Sequence, residues 1–146
     1  MASYVSTYFS PDRGTKDVVI GFINRCETKL SVAVYSITHD EIVDALITAH
    51  QRGVQVRVLM DKLQASNRYA DDEKLEAAGI PVKTGGTSGL MHNKFLIDGE
   101  RAVGTGSFNW SVNADERNAE NFVIIRLKYT VASFAEEFEK LWGAAQ

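Results

Sequence analysis

Leu30-Ser31-Val32-Ala33-Val34-Tyr35-Ser36-Ile37, the segment from Thr38-His39-Asp40-Glu41 to Gly53, and Val54-Gln55-Val56-Arg57-Val58-Leu59-Met60 together decide the fold. The first run is apolar and β-rich, as a buried strand requires. In the second, Ile42, Val43, Leu46, Ile47 and His50 recur at helical spacing and Gly53 supplies the stop. The third alternates as a strand does, and Asp61 ends it. Strand, helix and strand in that order form a parallel βαβ unit, because a parallel pair needs a long crossover.

Tyr4 to Phe9 reads as a further strand, broken by Ser10-Pro11-Asp12-Arg13-Gly14. Val18, Val19, Phe22, Ile23 and Cys26 then mark a helix from Thr15 to Glu27. Lys62 to Tyr69 is a polar loop, Asp71 to Ala78 a short helix, and Ile80-Pro81-Val82 is extended. Phe95-Leu96-Ile97 and Arg101-Ala102-Val103 flank Asp98-Gly99, a hairpin signal. Asn121 to Leu127 adds a strand and Tyr129 to Trp142 a closing helix. The expected fold class is α/β, a mixed, mostly parallel β-sheet flanked by helices on both faces, with residues 1–146 as one domain.

The chain has 146 residues, 45% of them apolar and 24% charged, which suffices to bury a core without cross-links. Cys26 is the only cysteine and reads as a core residue. No segment could span a bilayer as a helix, so the chain as written reads as soluble: cytoplasmic, or periplasmic or secreted where a leader has been cleaved. With a net charge of −3, attraction to a polyanion has to come from a local basic surface.

Chemistry concentrates in Met91-His92-Asn93-Lys94, which follows the glycine-rich loop Thr84 to Leu90. Positions two apart on a strand share a face, so His92 and Lys94 project together, and Asn93 points away as a structural residue. An imidazole can attack phosphorus while the ammonium beside it neutralises non-bridging oxygens. The hairpin's return strand brings Gly104-Thr105-Gly106-Ser107-Phe108-Asn109-Trp110-Ser111 back towards His92. Gly106 would let the backbone approach a ligand, and Ser107 and Asn109 offer polar groups to oxygen. Glu120 could take the proton of one imidazole nitrogen. No His, Asp and Glu cluster stands at metal-ligand spacing around His92.

In that order, His92-Asn93-Lys94, Gly106-Ser107-Phe108-Asn109 and Glu120 resemble the signature of the phospholipase D superfamily: His-x-Lys, then Gly-Ser-x-Asn and a downstream Glu. Tyr8-Phe9-Ser10-Pro11, Val34-Tyr35-Ser36 and Gly53 to Val58 extend the resemblance to the family's small bacterial nucleases. The chain departs from the pattern at one place. The motif's Asp, mainly structural in relatives, falls on Gly99, with Asp98 one position early.

The resemblance implies His92, Lys94, Asn109 and Glu120 as catalytic residues, with Lys94, Ser107 and Asn109 on the substrate phosphate. It implies no metal or other cofactor. Relatives use two copies of the motif and this chain has one, so it implies a homodimer with two His92 residues at one phosphodiester, one forming a phosphohistidine and the other protonating the leaving oxygen. The expected function is a sequence-nonspecific endonuclease acting on DNA or RNA. The alternatives are a lipid phosphodiesterase, which would need an apolar surface patch that the sequence does not reveal, and a non-catalytic nucleic-acid-binding module. No stable membrane association is expected.

Arg68 and Arg117, in loops, are the candidate substrate contacts. Arg57, Lys62, Lys83 and Arg101 read as solvated charges. Phe108 and Trp110 read as packing residues, and His39 and His50 as structural.

Overall fold

The computed structural model describes residues 3–85 and 88–146; Gly86 and Thr87 of the glycine-rich loop lie outside the described residues, as do Met1 and Ala2. In chain order the elements are β1 (Val5–Ser10), α1 (Thr15–Arg25), β2 (Lys29–Val34), α2 (Asp40–Gln51), β3 (Gln55–Met60), α3 (Lys62–Ala65), α4 (Asp72–Ala77), β4 (Val82–Thr84), β5 (Lys94–Asp98), β6 (Ala102–Gly106), α5 (Val112–Glu116), β7 (Glu120–Ile125) and α6 (Lys128–Ala144). The strands form one sheet in the order β1-β7-β6-β5-β2-β3-β4.

The sheet is mixed, as expected, but the expectation of mostly parallel pairing fails. Only β2–β3 and β3–β4 are parallel. The β1–β7, β7–β6, β6–β5 and β5–β2 pairs are antiparallel. The reason is placement. Although α1 separates β1 from β2 in sequence, β1 pairs with β7 at the edge, and β5 runs against β2 at the sheet's centre. Parallel pairing survives only where a helix returns the chain to an adjacent position.

Alternation on the central strands feeds two cores. Val32, Val34, Val56, Val58 and Leu96 pack with Val19, Phe22 and Ile23 of α1 and Ile42, Val43 and Leu46 of α2. Ala33, Leu59, Phe95, Ile97 and Val103 pack on the other face with Val131, Phe138 and Leu141 of α6. Cys26 is fully buried, and burial first, then the Asp98 carboxylate, pushes its thiol up to about 12, so it stays protonated and unreactive. Two short helices add to the expected elements: α3, where the sequence suggested a loop, and α5, in a stretch for which it suggested no element.

Register brings the functional segments to one rim. Val34 lies opposite Lys94, Gly106 opposite Phe122, and Ser10 opposite Glu120. The β5–β6 turn, Asp98 and Arg101, stands at the other rim.

Candidate active site

Strand β5 begins at Lys94, so His92 stands just ahead of it rather than on its first residues. The two side chains meet nonetheless: Lys94 Nζ lies 3.1 Å from His92 Nδ1 and donates to the His92 carbonyl at 2.7 Å. A charged Lys94 can only donate to Nδ1, which leaves a neutral imidazole with its proton on Nε2. His92 is exposed, and Nε2 has no protein partner among the described residues. Burial pulls the Lys94 ammonium below the ordinary lysine range, and the charge of Glu120 opposes that shift.

Ser107 and Asn109 are both fixed by hydrogen bonds, and only Asn109 keeps a side-chain donor available. Ser107 Oγ donates to Glu120 Oε1 at 3.0 Å and accepts from the Asn121 N–H at 3.0 Å. Asn109 Oδ1 accepts from the Ser36 N–H at 3.3 Å, so its amide nitrogen is left for a ligand oxygen. Trp110 N–H donates to Ser36 O, and Trp110 O accepts from Thr38 and His39. Phe108 and Trp110 are buried beneath this strap, as packing residues.

The expected contact between Glu120 and His92 is not made within one chain. Glu120 holds Ser107, and Lys94 occupies His92 Nδ1. Gly106 also serves another purpose than expected: a Cβ there would stand 2.3 Å from the Asn121 carbonyl, so the partner strand, not a ligand, requires glycine. Asp98 sits at the far end of β5, buried against the Cys26 thiol and away from His92. Its shifted position follows from the turn, where Gly99 adopts φ 50° and Arg101 N–H closes onto Asp98 O at 2.8 Å.

Arg68 and Arg117 are exposed on loops at the His92 rim, and neither touches the cluster. The Arg68 guanidinium lies 4.7 Å from the Tyr69 ring centroid. Arg117 caps the C-terminus of α5, ahead of Glu120.

Two residues supporting the pair escaped the sequence reading. The Tyr35 ring lies 4.6 Å from the His92 ring and 5.3 Å from Lys94 Nζ, and its hydroxyl meets the Gln64 amide at 3.2 Å. Asp61 is buried, accepts from Leu63 and Gln64 at the start of α3, and with its other oxygen accepts from the Met91 N–H at 3.0 Å. One carboxylate thus ties the residue preceding His92 to the helix that carries Gln64. Tyr35→Leu should lower kcat by about tenfold through loss of the ring contacts. Tyr35→Phe should retain most activity; the comparison of kcat with unchanged circular dichroism checks both.

Among the described residues no group of three His, Cys, Asp or Glu side chains could hold a metal ion, and no helix is long and apolar enough to cross a membrane.

The family described as "Cardiolipin synthase, PLD-like domain" matches residues 19–142. The chain is 36% identical over 123 residues to a mitochondrial cardiolipin hydrolase of Chlamydomonas reinhardtii, covering 84% of this chain and 55% of that protein. It is 35% identical over 138 residues to a phospholipase D of Rickettsia felis, covering 94% of this chain and 69% of that one. The chain thus spans between about half and about two-thirds of the length of these relatives. Among solved structures, Nuc of Salmonella typhimurium, a phospholipase D family member, superposes with a TM-score of 0.92 at 29% identity, covering 97% of this chain and 95% of that one. Sequence, sheet order and the match over most of the chain agree: this chain belongs to the phospholipase D superfamily of phosphodiesterases.

Proposed function

We propose that the chain is a metal-independent endonuclease that cleaves nucleic-acid phosphodiesters at a site completed by a second copy. The observation that carries this reading is the His92–Lys94 pair, standing with a free Nε2 on an open rim that also presents Asn109 and the Ser107–Glu120 pair. An open rim suits a phosphodiester in the middle of a polymer. The superposition on Nuc, with a TM-score of 0.92 at 29% identity, supports the nuclease reading.

With two copies paired, one His92 attacks phosphorus through Nε2, forming a P–N bond as the P–O bond to the leaving group breaks. The other His92 gives its Nε2 proton to that oxygen, then takes a proton from water, which displaces the first imidazole. The Lys94 contact seen in this chain belongs to the neutral, resting imidazole. The donating copy must carry a proton on each nitrogen, so that loss of the Nε2 proton leaves a neutral ring, and its Nδ1–H then turns from Lys94 to an acceptor. The attacking copy needs its proton on Nδ1 and a carboxylate to accept that bond, the role of Glu120. Lys94, Ser107 and Asn109 hold the non-bridging oxygens as charge builds, and Arg68 and Arg117 meet flanking phosphates.

Glu120 also bears on pH. Burial lowers the Lys94 pKa and Glu120 raises it. Glu120→Gln removes the upward pull, so the alkaline limb of kcat/KM, where Lys94 loses its proton, moves to lower pH. An unmoved limb in pH–rate profiles of the two proteins would count against this role.

One observation favours a second reading, a lipid phosphodiesterase. Contrary to the sequence expectation of no apolar patch, Leu63 on α3 and Tyr69 and Leu90 on loops stand exposed at the His92 rim. Labelled oligonucleotide and phosphatidylcholine or cardiolipin vesicles, each incubated with the protein in excess chelator, separate the two. Oligonucleotide cutting is expected; headgroup release without cutting would replace the nuclease reading.

A further inference from the structure

At the rim opposite His92, the last turn of α1, the β5–β6 turn and the end of β7 enclose a concavity of about 370 Å³. Arg25, Arg101 and Arg126 line it, with Phe22, Ala102 and Ile124 as its apolar wall and the buried Asp98 as its one carboxylate. The three guanidinium groups are distant in sequence and are gathered only by the fold.

Four cations elsewhere on this chain are held by carboxylates. Lys29 and Arg57 pair with Glu139, Lys16 with Glu41 at 3.0 Å and Lys74 with Asp44 at 3.0 Å. Sharing Glu139 leaves Lys29 and Arg57 with a net of only +1 beside the larger hollow of about 570 Å³ that they line with His50. Around the smaller concavity, Arg25 and Arg101 make no ion pair and no side-chain hydrogen bond among the described residues. Arg126 uses one nitrogen, Nη1, on Ser3 O at 3.3 Å and Ser6 Oγ at 3.2 Å, and no ion pair engages the rest of its guanidinium. Three positive charges against one carboxylate leave a net of +2 here, on a chain whose total is −3.

We propose that this concavity is a second anion site, which holds backbone phosphates of a nucleic-acid strand whose scissile phosphodiester lies at His92. Guanidinium forks match phosphate oxygens in pairs, and the apolar wall lowers the local dielectric that screens them. The five residues of β5 separate the two rims by roughly 15 Å, so only a strand of several nucleotides engages both. The site therefore acts on affinity for long substrates and not on the chemistry at His92. The choice of nucleic acid as ligand rests on the nuclease reading above.

The test uses His92→Ala protein, so that a fluorescent single-stranded oligonucleotide is bound without being cut, and compares it with the same protein carrying Arg25→Ala, Arg101→Ala and Arg126→Ala. Anisotropy titrations over a range of salt should show Kd raised about tenfold or more. The slope of log K against log salt should flatten by about 2, at about 0.7 for each phosphate that the triple variant no longer neutralises. In the otherwise native protein the three substitutions should leave cleavage of bis(4-nitrophenyl) phosphate unchanged. Arg101→Glu alone, in an exposed turn where the Arg101 side chain makes no bond among the described residues, guards against misfolding of the triple variant and should also weaken binding. Unchanged Kd and slope would overturn the proposal. So would loss of binding to phosphatidylglycerol vesicles with oligonucleotide binding intact, which assigns the site to a lipid headgroup. Arginine-dependent oligonucleotide binding in a protein that cuts no nucleic acid would instead sink the nuclease reading and leave the site standing.

Discussion

His92→Ala is expected to remove phosphodiester cleavage, lowering kcat/KM by about 10⁴-fold or more while leaving the fold intact. The size follows from the two tasks of the imidazole. In a site built from two copies, one substitution deletes both the group that attacks phosphorus and the group that protonates the leaving oxygen. The fold should not notice, because the side chain is exposed and, among the described residues, its ring contacts are with Tyr35 and Lys94. Single-turnover cleavage of a fluorogenic oligonucleotide in chelator, with thermal unfolding as control, measures both. Activity within tenfold of the native protein would end the role proposed for His92.

The same variant tests the shared site. When native and His92→Ala chains are mixed in equal amounts and allowed to exchange, about a quarter of the dimers carry two native chains and about half are hybrids. If one phosphodiester needs two imidazoles, hybrids are inactive and activity per chain falls to about a quarter of the native value. Chains that act alone give about half.

His92, Lys94, Ser107, Asn109 and Glu120 were legible in the sequence as types in an order, because each group carries chemistry that suits a phosphate. Their shared rim was legible in part, since the Asp98–Gly99 turn fixes the return of β6 beside β5. The neighbours of β1 and β5 were not legible. Pairing across the sheet is set by burial over long sequence distances, and local alternation carries no address. Tyr35 and Asp61 were hidden for the same reason. Tyr35 looks like one more residue of an apolar strand, and Asp61 like a strand terminator, until Gln64 and the Met91 N–H are brought to them. Glu120 shows the opposite case. Its type suggested a partner for His92, and its position within one chain gives it to Ser107, so the carboxylate that would hold the attacking imidazole depends on an arrangement beyond a single copy.

Lys94→Met should lower kcat by about 10²- to 10³-fold, the second largest loss expected. Methionine keeps the length and much of the volume of the stem, so it isolates the charge. That charge does two things in this structure: it holds His92 through Nδ1 and the carbonyl oxygen, and it stands ready for the non-bridging oxygens of a phosphate. Because burial already disfavours the ammonium, its interaction with a dianionic transition state is screened less than a surface lysine's would be. Arginine is not expected to rescue the loss, since its planar fork cannot reproduce a point charge bonded at 3.1 Å and 2.7 Å to one neighbouring residue. The two tasks separate in a double-mutant cycle with Tyr35→Leu. Tyr35 and Lys94 clamp the same imidazole from different sides, so if positioning dominates, their effects on kcat fall short of additivity, the second substitution finding His92 already loose. If charge on the phosphate dominates, the roughly tenfold loss from Tyr35→Leu multiplies that from Lys94→Met. The charge term is expected to dominate, because Tyr35 still borders the ring when Lys94 is gone, whereas no other cation among the described residues contacts His92.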